Sequence, residues 1–221
     1  MINREGRQMA KETRKDILKA PDEFKVVMDR SLKWIKTHMQ TFIITVIIVF
    51  GLVSASLGFY SWKAIRQIQA FEMYFSNGQA KEMLVEKYPD TVAGRLAMLR
   101  LAAYSYAKGD LKDTEKWAQE FLNKWNKKDI FHYEALLILS CKYMDSGDVP
   151  KAIGLLNECI ESAPEGIKNQ ALFYKGIALK NTGKDSEAMG IFKKIGGQYK
   201  YLAEVYISDM GQAKGNKQHA R

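Results

Sequence analysis

The chain has 221 residues, with 34 Lys and Arg against 25 Asp and Glu, a net charge of +9 and a mean hydropathy of −0.29. This composition excludes a protein that is embedded in a membrane along most of its length. The dispersed basic residues, with no aromatic–basic module, argue against nucleic-acid binding. Four prolines and the lack of long alternating β-branched runs outside one apolar stretch predict an all-α chain.

The first 40 residues divide into two segments. Residues 1–20 are charged and polar, and we predict a disordered cytoplasmic tail. Residues 21–40 predict a basic amphipathic helix, because Pro21 suits a first helical turn and apolar residues then recur every three or four positions. Its apolar positions are Phe24, Val27, Met28, Leu32, Ile35 and Met39, and its basic positions are Lys25, Arg30, Lys33 and Lys36. Such a helix would lie on the anionic inner membrane surface or against a partner's cytosolic loops, unless it simply continues the next helix into water.

Residues 41–62 contain no charged side chain in 22 positions, which predicts a transmembrane helix. As a helix they span about 33 Å, close to the bilayer hydrocarbon, and Phe59, Tyr60 and Trp62 supply interfacial aromatic rings. A signal peptidase would accept the small residues at Val53 to Ala55. The 40-residue head and the apolar run beyond that point instead favour a retained anchor. A soluble core helix is rarely apolar on every face.

The flanks of this span predict its orientation. Ten basic residues precede it, whereas Lys63 and Arg66 are the basic residues that closely follow it. Basic segments stay in the cytoplasm, so we predict a cytoplasmic N-terminus and a C-terminal domain outside the cytoplasm. Within the span, Gly51 with Ala55 and Ser54 with Gly58 form two small-xxx-small pairs that would let another membrane helix approach closely.

Three segments of the remaining chain are self-similar when they are aligned on Gly109, Gly147 and Gly183, which are spaced by 38 and 36 residues. Each segment predicts a helix, a glycine-containing turn and a second helix, with small side chains where the two helices pack closely. The small positions are Ala102, Ser140 and Gly176 before the turns and Thr114, Ala152 and Ala188 after them, and the large apolar positions of the second helices are Phe121, Leu156 and Phe192.

These units resemble the tetratricopeptide repeat. The middle unit matches its pattern at Tyr143, Gly147, Ala152 and Pro164, and the third at Gly176, Gly183, Ala188 and Phe192. The first unit departs from it at Thr114 and Phe121, and a weaker half-match lies around Gly78. The resemblance implies a tetratricopeptide-like α-solenoid of helical hairpins over residues 63–210. We expect a closing helix at Tyr199 to Met210 and a flexible tail at residues 211–221.

One N-terminal anchor joined directly to divergent repeats, with a "PDEF" helix start before it, resembles the YfgM family of bacterial inner-membrane proteins. The resemblance covers about residues 11–210. It implies a single-pass inner-membrane protein with a periplasmic repeat domain. Its partners would be the Sec translocon, a membrane-anchored prolyl isomerase chaperone and exported client proteins. The alternative is an interaction scaffold for another envelope assembly, such as a pilus, a secretion system or the outer-membrane insertion machinery.

In repeats of this kind the first helix of each hairpin lines a concave groove. The corresponding positions form a largely apolar face that suits unfolded segments or an amphipathic partner helix. They are Leu99, Ala103, Tyr106, Leu137, Cys141, Met144, Phe173, Ile177 and Lys180. A clamp for a C-terminal carboxylate would need polar side chains where this face has Leu, Ala and Cys. The alternative to an open groove is that the chain's own last helix fills it through Leu202, Val205 and Tyr206.

The sequence predicts no enzyme, no cofactor and no metal site. The three histidines, His38, His132 and His219, are far apart and lack ligand spacing, and no nucleophile–base pair is visible. The stretch "GIALKNTGK" has six residues between its glycines where a phosphate-binding loop has four, so it is interpreted as a repeat turn.

Two further residue groups have structural interpretations. Cys141 and Cys159 fall at apolar helical positions without CxxC spacing, so we expect buried thiols, with a disulfide as the alternative. The aromatic residues Trp117, Phe121 and Trp125 are spaced by four residues, which is typical of core and inter-repeat packing rather than of a binding site. The sequence leaves open whether the protein forms oligomers.

Overall fold

The computed structural model describes residues 23–76 and 80–219. The tail predicted at residues 1–20 and Gly78, the centre of the weaker half-match, therefore lie outside the described residues. Within the described ranges the chain is helical and contains no strand, which confirms the all-α prediction. The chain divides into two compact units, residues 1–63 and residues 64–221.

The first unit contains α1 (Glu23–Thr37) and most of the apolar part of α2 (Met39–Phe75), with a turn residue at His38 between them. Helix α2 is long and apolar enough to cross a membrane, and its most apolar 18-residue window is 0% buried. The predicted span of residues 41–62 lies inside this helix. The helix itself continues past that span to Phe75, in the second unit.

The second unit is a stack of helical hairpins. Helices α4 and α5, α6 and α7, and α8 and α9 pack as consecutive pairs. The helices of this unit after α2 are α3 (Ala80–Lys87), α4 (Val92–Ala107), α5 (Leu111–Lys124), α6 (Ile130–Asp145), α7 (Val149–Ser162), α8 (Glu165–Asn181), α9 (Asp185–Phe192) and α10 (Lys200–His219). A short 3₁₀ turn, Gly197–Tyr199, leads into α10, which is helical into the segment predicted as a flexible tail.

Each hairpin turns at one of the three aligned glycines. Gly109, Gly147 and Gly183 have φ angles of 78°, 81° and 76°, a left-handed conformation that glycine adopts without steric cost. In the first two hairpins an aspartate follows the turn, and Asp110 and Asp148 cap α5 and α7 by accepting hydrogen bonds from backbone N–H groups three residues later. The glycine alignment thus identifies the real chain reversals.

The small residues lie where the two helices of each hairpin cross. All six predicted small positions are buried, and Phe121, Leu156 and Phe192 are among the largest fully buried side chains. At Gly176 of α8 an added Cβ atom would stand 2.4 Å from a ring carbon of Phe192 on α9. Close-packed interiors have no room for such an atom, so this glycine sets the distance between α8 and α9.

Both ends of the hairpin stack are covered by other helices. At the N-terminal end, Ala70 and Tyr74 of α2 pack in one apolar cluster with Leu84 of α3 and Met98 of α4. At the other end, Ala203 and Met210 of α10 belong to the cluster built on Phe192. Terminal elements of this kind protect apolar surface that further repeats would otherwise cover.

The packing at Gly176 predicts the effect of a single added methyl group. Gly176→Ala should lower the free energy of unfolding by about 1–3 kcal/mol, because the buried Phe192 ring has no free space into which it can move. The matched control is Gly190→Ala in the same hairpin, where a Cβ atom meets nothing within 4 Å. That substitution should raise stability by about 0.5–1 kcal/mol through helix propensity. Thermal unfolding followed by circular dichroism measures both, and equal effects of the two substitutions would contradict the account.

Candidate functional site

The first helices of the three hairpins, α4, α6 and α8, line a cavity of about 380 Å³, which we call the groove cavity. Five of its ten lining side chains are aliphatic, and the others are one thiol, two phenols, one amide and one carboxylate. The lining residues are Ala103, Tyr106, Ile130, Glu134, Leu137, Ile138, Cys141, Ile167, Gln170 and Tyr174.

Of the nine groove positions predicted from sequence, four line this cavity: Ala103, Tyr106, Leu137 and Cys141. Leu99 is buried in the apolar cluster shared by α2, α3, α4 and α5. Met144 packs against the clusters between the hairpins. The three positions on α8, which are Phe173, Ile177 and Lys180, lie outside the cavity lining.

Helix α10 covers those three positions. The Phe173 ring packs 5.5 Å from the Tyr206 ring, and the Nζ atom of Lys180 lies 4.8 Å above that same ring. Leu202 and Val205, which were the other expected contacts of the last helix, are 43% and 41% exposed. The closing helix therefore packs on the third hairpin through Tyr206, and the described residues leave the cavity along α4 and α6 uncovered.

Six lining residues were not predicted. On α6, extending the face of Leu137 by two helical turns toward the N-terminus would have found Glu134 and Ile130, and Ile138 lies next to Leu137 and one turn before Cys141. On α8 the lining residues are Ile167, Gln170 and Tyr174. Tyr174 is the residue that follows the predicted Phe173 in the sequence. A rotation of about 100° about the helix axis separates neighbouring residues, and no sequence signal fixed that rotation.

Most polar groups of the groove cavity already have partners. The Tyr106 hydroxyl donates a hydrogen bond of 2.8 Å to Asp145, which joins α4 to α6, and burial raises the Tyr106 pKa above its ordinary value. The Gln170 amide donates to the Tyr174 hydroxyl at 3.2 Å. Glu134 is different, because no hydrogen bond or ion pair joins it to another described residue. Burial raises the pKa of its carboxyl, and no nearby cation lowers it.

Glu115 provides a contrast outside the cavity. It lies on α5 and accepts hydrogen bonds from the Lys142 ammonium and the Tyr143 hydroxyl of α6. These two donors lower the pKa of the Glu115 carboxyl. Glu115 is therefore paired and links the first two hairpins, whereas Glu134 is unpaired and lines the groove cavity.

The two cysteines are free thiols. Burial is the main cause that raises the pKa of Cys141 to about 11 and that of Cys159 to about 12. A thiol with so high a pKa is a poor nucleophile near neutral pH, since the thiolate is the reactive form. The described residues include no cluster of three or more His, Cys, Asp or Glu side chains that could hold a metal ion.

The four small residues of the predicted membrane contact lie on one stripe of α2. Gly51, Ser54, Ala55 and Gly58 are spaced by three, one and three residues, which places them within about one third of the helix circumference. All four are exposed, and a Cβ atom added at either glycine would meet nothing within 4 Å. The stripe is thus free of intramolecular contacts from the described residues.

A family model described as "Tetratricopeptide repeat" matches residues 170–200. The matched segment contains most of α8 and all of α9, the hairpin with the tight Gly176 crossing. No curated protein and no solved structure gives a significant match. The matched hairpin and the repetition of the same architecture along the chain support a tetratricopeptide-like protein.

The unpaired carboxylate in the groove cavity predicts a pH-dependent effect on stability. Glu134→Gln should raise the melting temperature at pH 7 by less than about 1 °C, because the charge it removes has no partner and solvent screens most of its cost at this exposed side chain. Since burial raises the folded-state pKa, the charge destabilises the fold above that pKa. The penalty is absent below the ordinary value of about 4.3, where both states are protonated. The gain of the variant should therefore disappear as the pH falls to about 4.

Glu115→Gln is the matched control and should have the opposite sign. The pKa of Glu115 is lowered in the fold, so its charge stabilises the protein at pH values above the ordinary pKa of a glutamate. That contribution is lost as the pH falls through the lowered pKa. Thermal unfolding of both variants at a series of pH values provides the measurement. A lower melting temperature for Glu134→Gln at pH 7 would show that Glu134 is a structural residue.

Proposed function

We propose that the chain is a non-enzymatic interaction scaffold that is anchored in a membrane and binds protein segments in its groove cavity. Tetratricopeptide-type repeats are interaction modules, which supports protein partners in general. The observation that carries the proposal is the groove cavity itself: aliphatic side chains from three successive hairpins line a space that the described part of the chain does not fill. Exposed apolar concavities of this kind mark binding sites for ligands or partner chains.

The proposed anchor is the apolar part of α2. Its large side chains are exposed along the charge-free stretch, with Phe50 at 73% and Ile47 at 64%. Such side chains are stable in lipid and unfavourable in water. With the basic segment retained in the cytoplasm, the protein spans the bacterial inner membrane once, and the repeat domain lies in the periplasm.

Helix α1 is proposed to lie on the inner membrane surface. A helical wheel places Phe24, Val27, Met28, Leu32 and Ile35 on one arc, and all of them except Ile35 are exposed. The rest of the wheel carries four basic side chains, Lys25, Arg30, Lys33 and Lys36, and two acidic ones, Glu23 and Asp29. This distribution suits an anionic lipid surface next to a membrane-spanning helix. The small-residue stripe of α2 would then receive a partner's membrane helix or that of a second copy.

Among assemblies that such a scaffold could serve, we propose the Sec translocon, together with a membrane-anchored prolyl isomerase chaperone and exported clients. The sequence resemblance to the YfgM family supports this assignment. The groove cavity supports it as well, because newly exported chains expose apolar segments before they fold. The second candidate is a scaffold for another envelope assembly, which the same repeats and anchor would serve equally.

Affinity purification of the tagged full chain in mild detergent tests this proposal. We expect Sec subunits to co-purify, identified by mass spectrometry, and to be absent with an unrelated single-span inner-membrane protein that carries the same tag. Ala103→Trp, which fills the groove cavity from an exposed position, should reduce recovery of exported clients and leave anchor-dependent partners in place. Reproducible absence of Sec subunits would contradict the Sec assignment, and subunits of a different envelope machine in their place would support the second candidate.

A further inference from the structure

The groove cavity carries one feature that a general apolar binding surface does not need. Glu134 is the one residue of the lining that carries a formal charge, and no Lys or Arg side chain lines the cavity. The chain as a whole has 34 basic residues against 25 acidic ones, so a cavity lining whose one formal charge is negative differs from the chain's average composition. A second acidic group, Asp145, accepts the hydrogen bond of the lining residue Tyr106.

The surroundings of Glu134 keep its carboxylate available. The side chain lies on α6 one turn before Ile138, and the aliphatic residues Ile130 and Leu137 flank it. No Lys or Arg stands three or four residues from Glu134 along α6, because those positions hold Ile130, Phe131, Leu137 and Ile138. The Glu134 side chain is exposed at the mouth of the cavity, so its carboxylate is open to a ligand that supplies a cation.

We propose that the occupant of the groove cavity is a segment of a partner protein that carries a Lys or Arg residue flanked by apolar side chains, with the cation paired to Glu134. The aliphatic lining takes the flanking side chains, and the carboxylate accepts hydrogen bonds from the ammonium or guanidinium group. The Tyr106 hydroxyl already donates to Asp145 and the Tyr174 hydroxyl accepts from Gln170, so the carboxylate is the charged group that distinguishes one segment from another. This inference rests on the proposed function, since it specifies the chemistry of the segment that the groove binds.

The groove selects by charge when a segment with a cation binds more tightly than a similar segment without one. An apolar segment without a cation would bury the Glu134 carboxylate further and leave it unpaired, which weakens binding. A segment with an acidic residue would add repulsion between like charges. A segment with a Lys or Arg gains a charge-assisted hydrogen bond to Glu134, and the segment itself excludes water from that bond when it fills the cavity. Because the net charge of the whole chain is +9, general electrostatic attraction does not explain a preference for cationic segments.

Selection from a random 12-residue peptide library, displayed on phage, tests the inference with the full chain held in lipid nanodiscs. The wild-type chain should select peptides in which Lys or Arg lies next to apolar residues. A selected peptide should bind Glu134→Gln at least about tenfold more weakly, as expected for the loss of a charged hydrogen bond. The same peptide with its cation replaced by Gln should bind both chains equally. Glu161→Gln, at an exposed carboxylate of α7 outside the cavity, is the control that should leave binding unchanged.

The variant Ala103→Trp separates failure of this inference from failure of the proposed function. If Ala103→Trp abolishes binding of the selected peptides but they lack cations, or Glu134→Gln binds them as tightly as wild type, the groove binds peptides and the cation inference is wrong. If no selected peptide depends on Ala103, both the groove function and the inference are contradicted. Selection of cationic peptides with equal strength by the wild-type chain and Glu134→Gln would also overturn the inference, because it would place the cation elsewhere on the protein.

Discussion

The charge-free part of α2 constrains every other assignment. Its residues 41–62 expose about twelve aliphatic and phenylalanine side chains in the structure, and transfer of each from water to an apolar medium is worth roughly 1.5–3 kcal/mol. The sum, roughly 20 kcal/mol or more, exceeds the net stability of an ordinary domain of about 5–15 kcal/mol. A partner that covers this surface must therefore be apolar along its whole length, and the bilayer that we propose meets this requirement. Under that proposal, α1 and the repeat domain contact partners on opposite sides of the membrane.

The repeat domain is held together by close packing between the helices of each hairpin. Each hairpin brings two helices together at small residues, and Gly176 against Phe192 is the tightest example. This close contact holds the two helices of a hairpin as one layer, and the first helices of successive layers face a shared groove. Helix α10 uses Tyr206 to cover Phe173 on α8, and the described residues leave uncovered the groove cavity that α4, α6 and α8 line. An unpaired Glu134 in that cavity has no structural benefit comparable to that of the paired Glu115, which is why we assign it to ligand selection.

The parts of the fold that could be predicted are those in which a single residue has a strong local requirement. Left-handed turns need glycine and close helix crossings need small side chains, so the alignment on Gly109, Gly147 and Gly183 located the hairpins. The 22 residues without a charged side chain, residues 41–62, likewise located the apolar helix. The groove could be predicted in part, because the rotation of each helix about its axis depends on its neighbours. On α8 the cavity uses Tyr174, whereas the predicted Phe173 packs under α10. Glu134 was missed because an acidic residue on an otherwise apolar face looks like an ordinary exposed position.

Accessibility of single cysteines in intact cells tests most directly the claim that one membrane separates the two ends of this chain. With a membrane-impermeant maleimide, Ser186→Cys in the exposed start of α9 should be labelled once the outer membrane is opened, while Lys33→Cys on the basic arc of α1 should need lysis of the inner membrane. Leu32→Cys, on the apolar arc, should then react more slowly than Lys33→Cys. The native thiols give a low background, since burial raises the pKa of Cys141 to about 11 and that of Cys159 to about 12. Labelling of Ser186→Cys that appears after inner-membrane lysis and not before it would place the repeat domain in the cytoplasm and contradict the account.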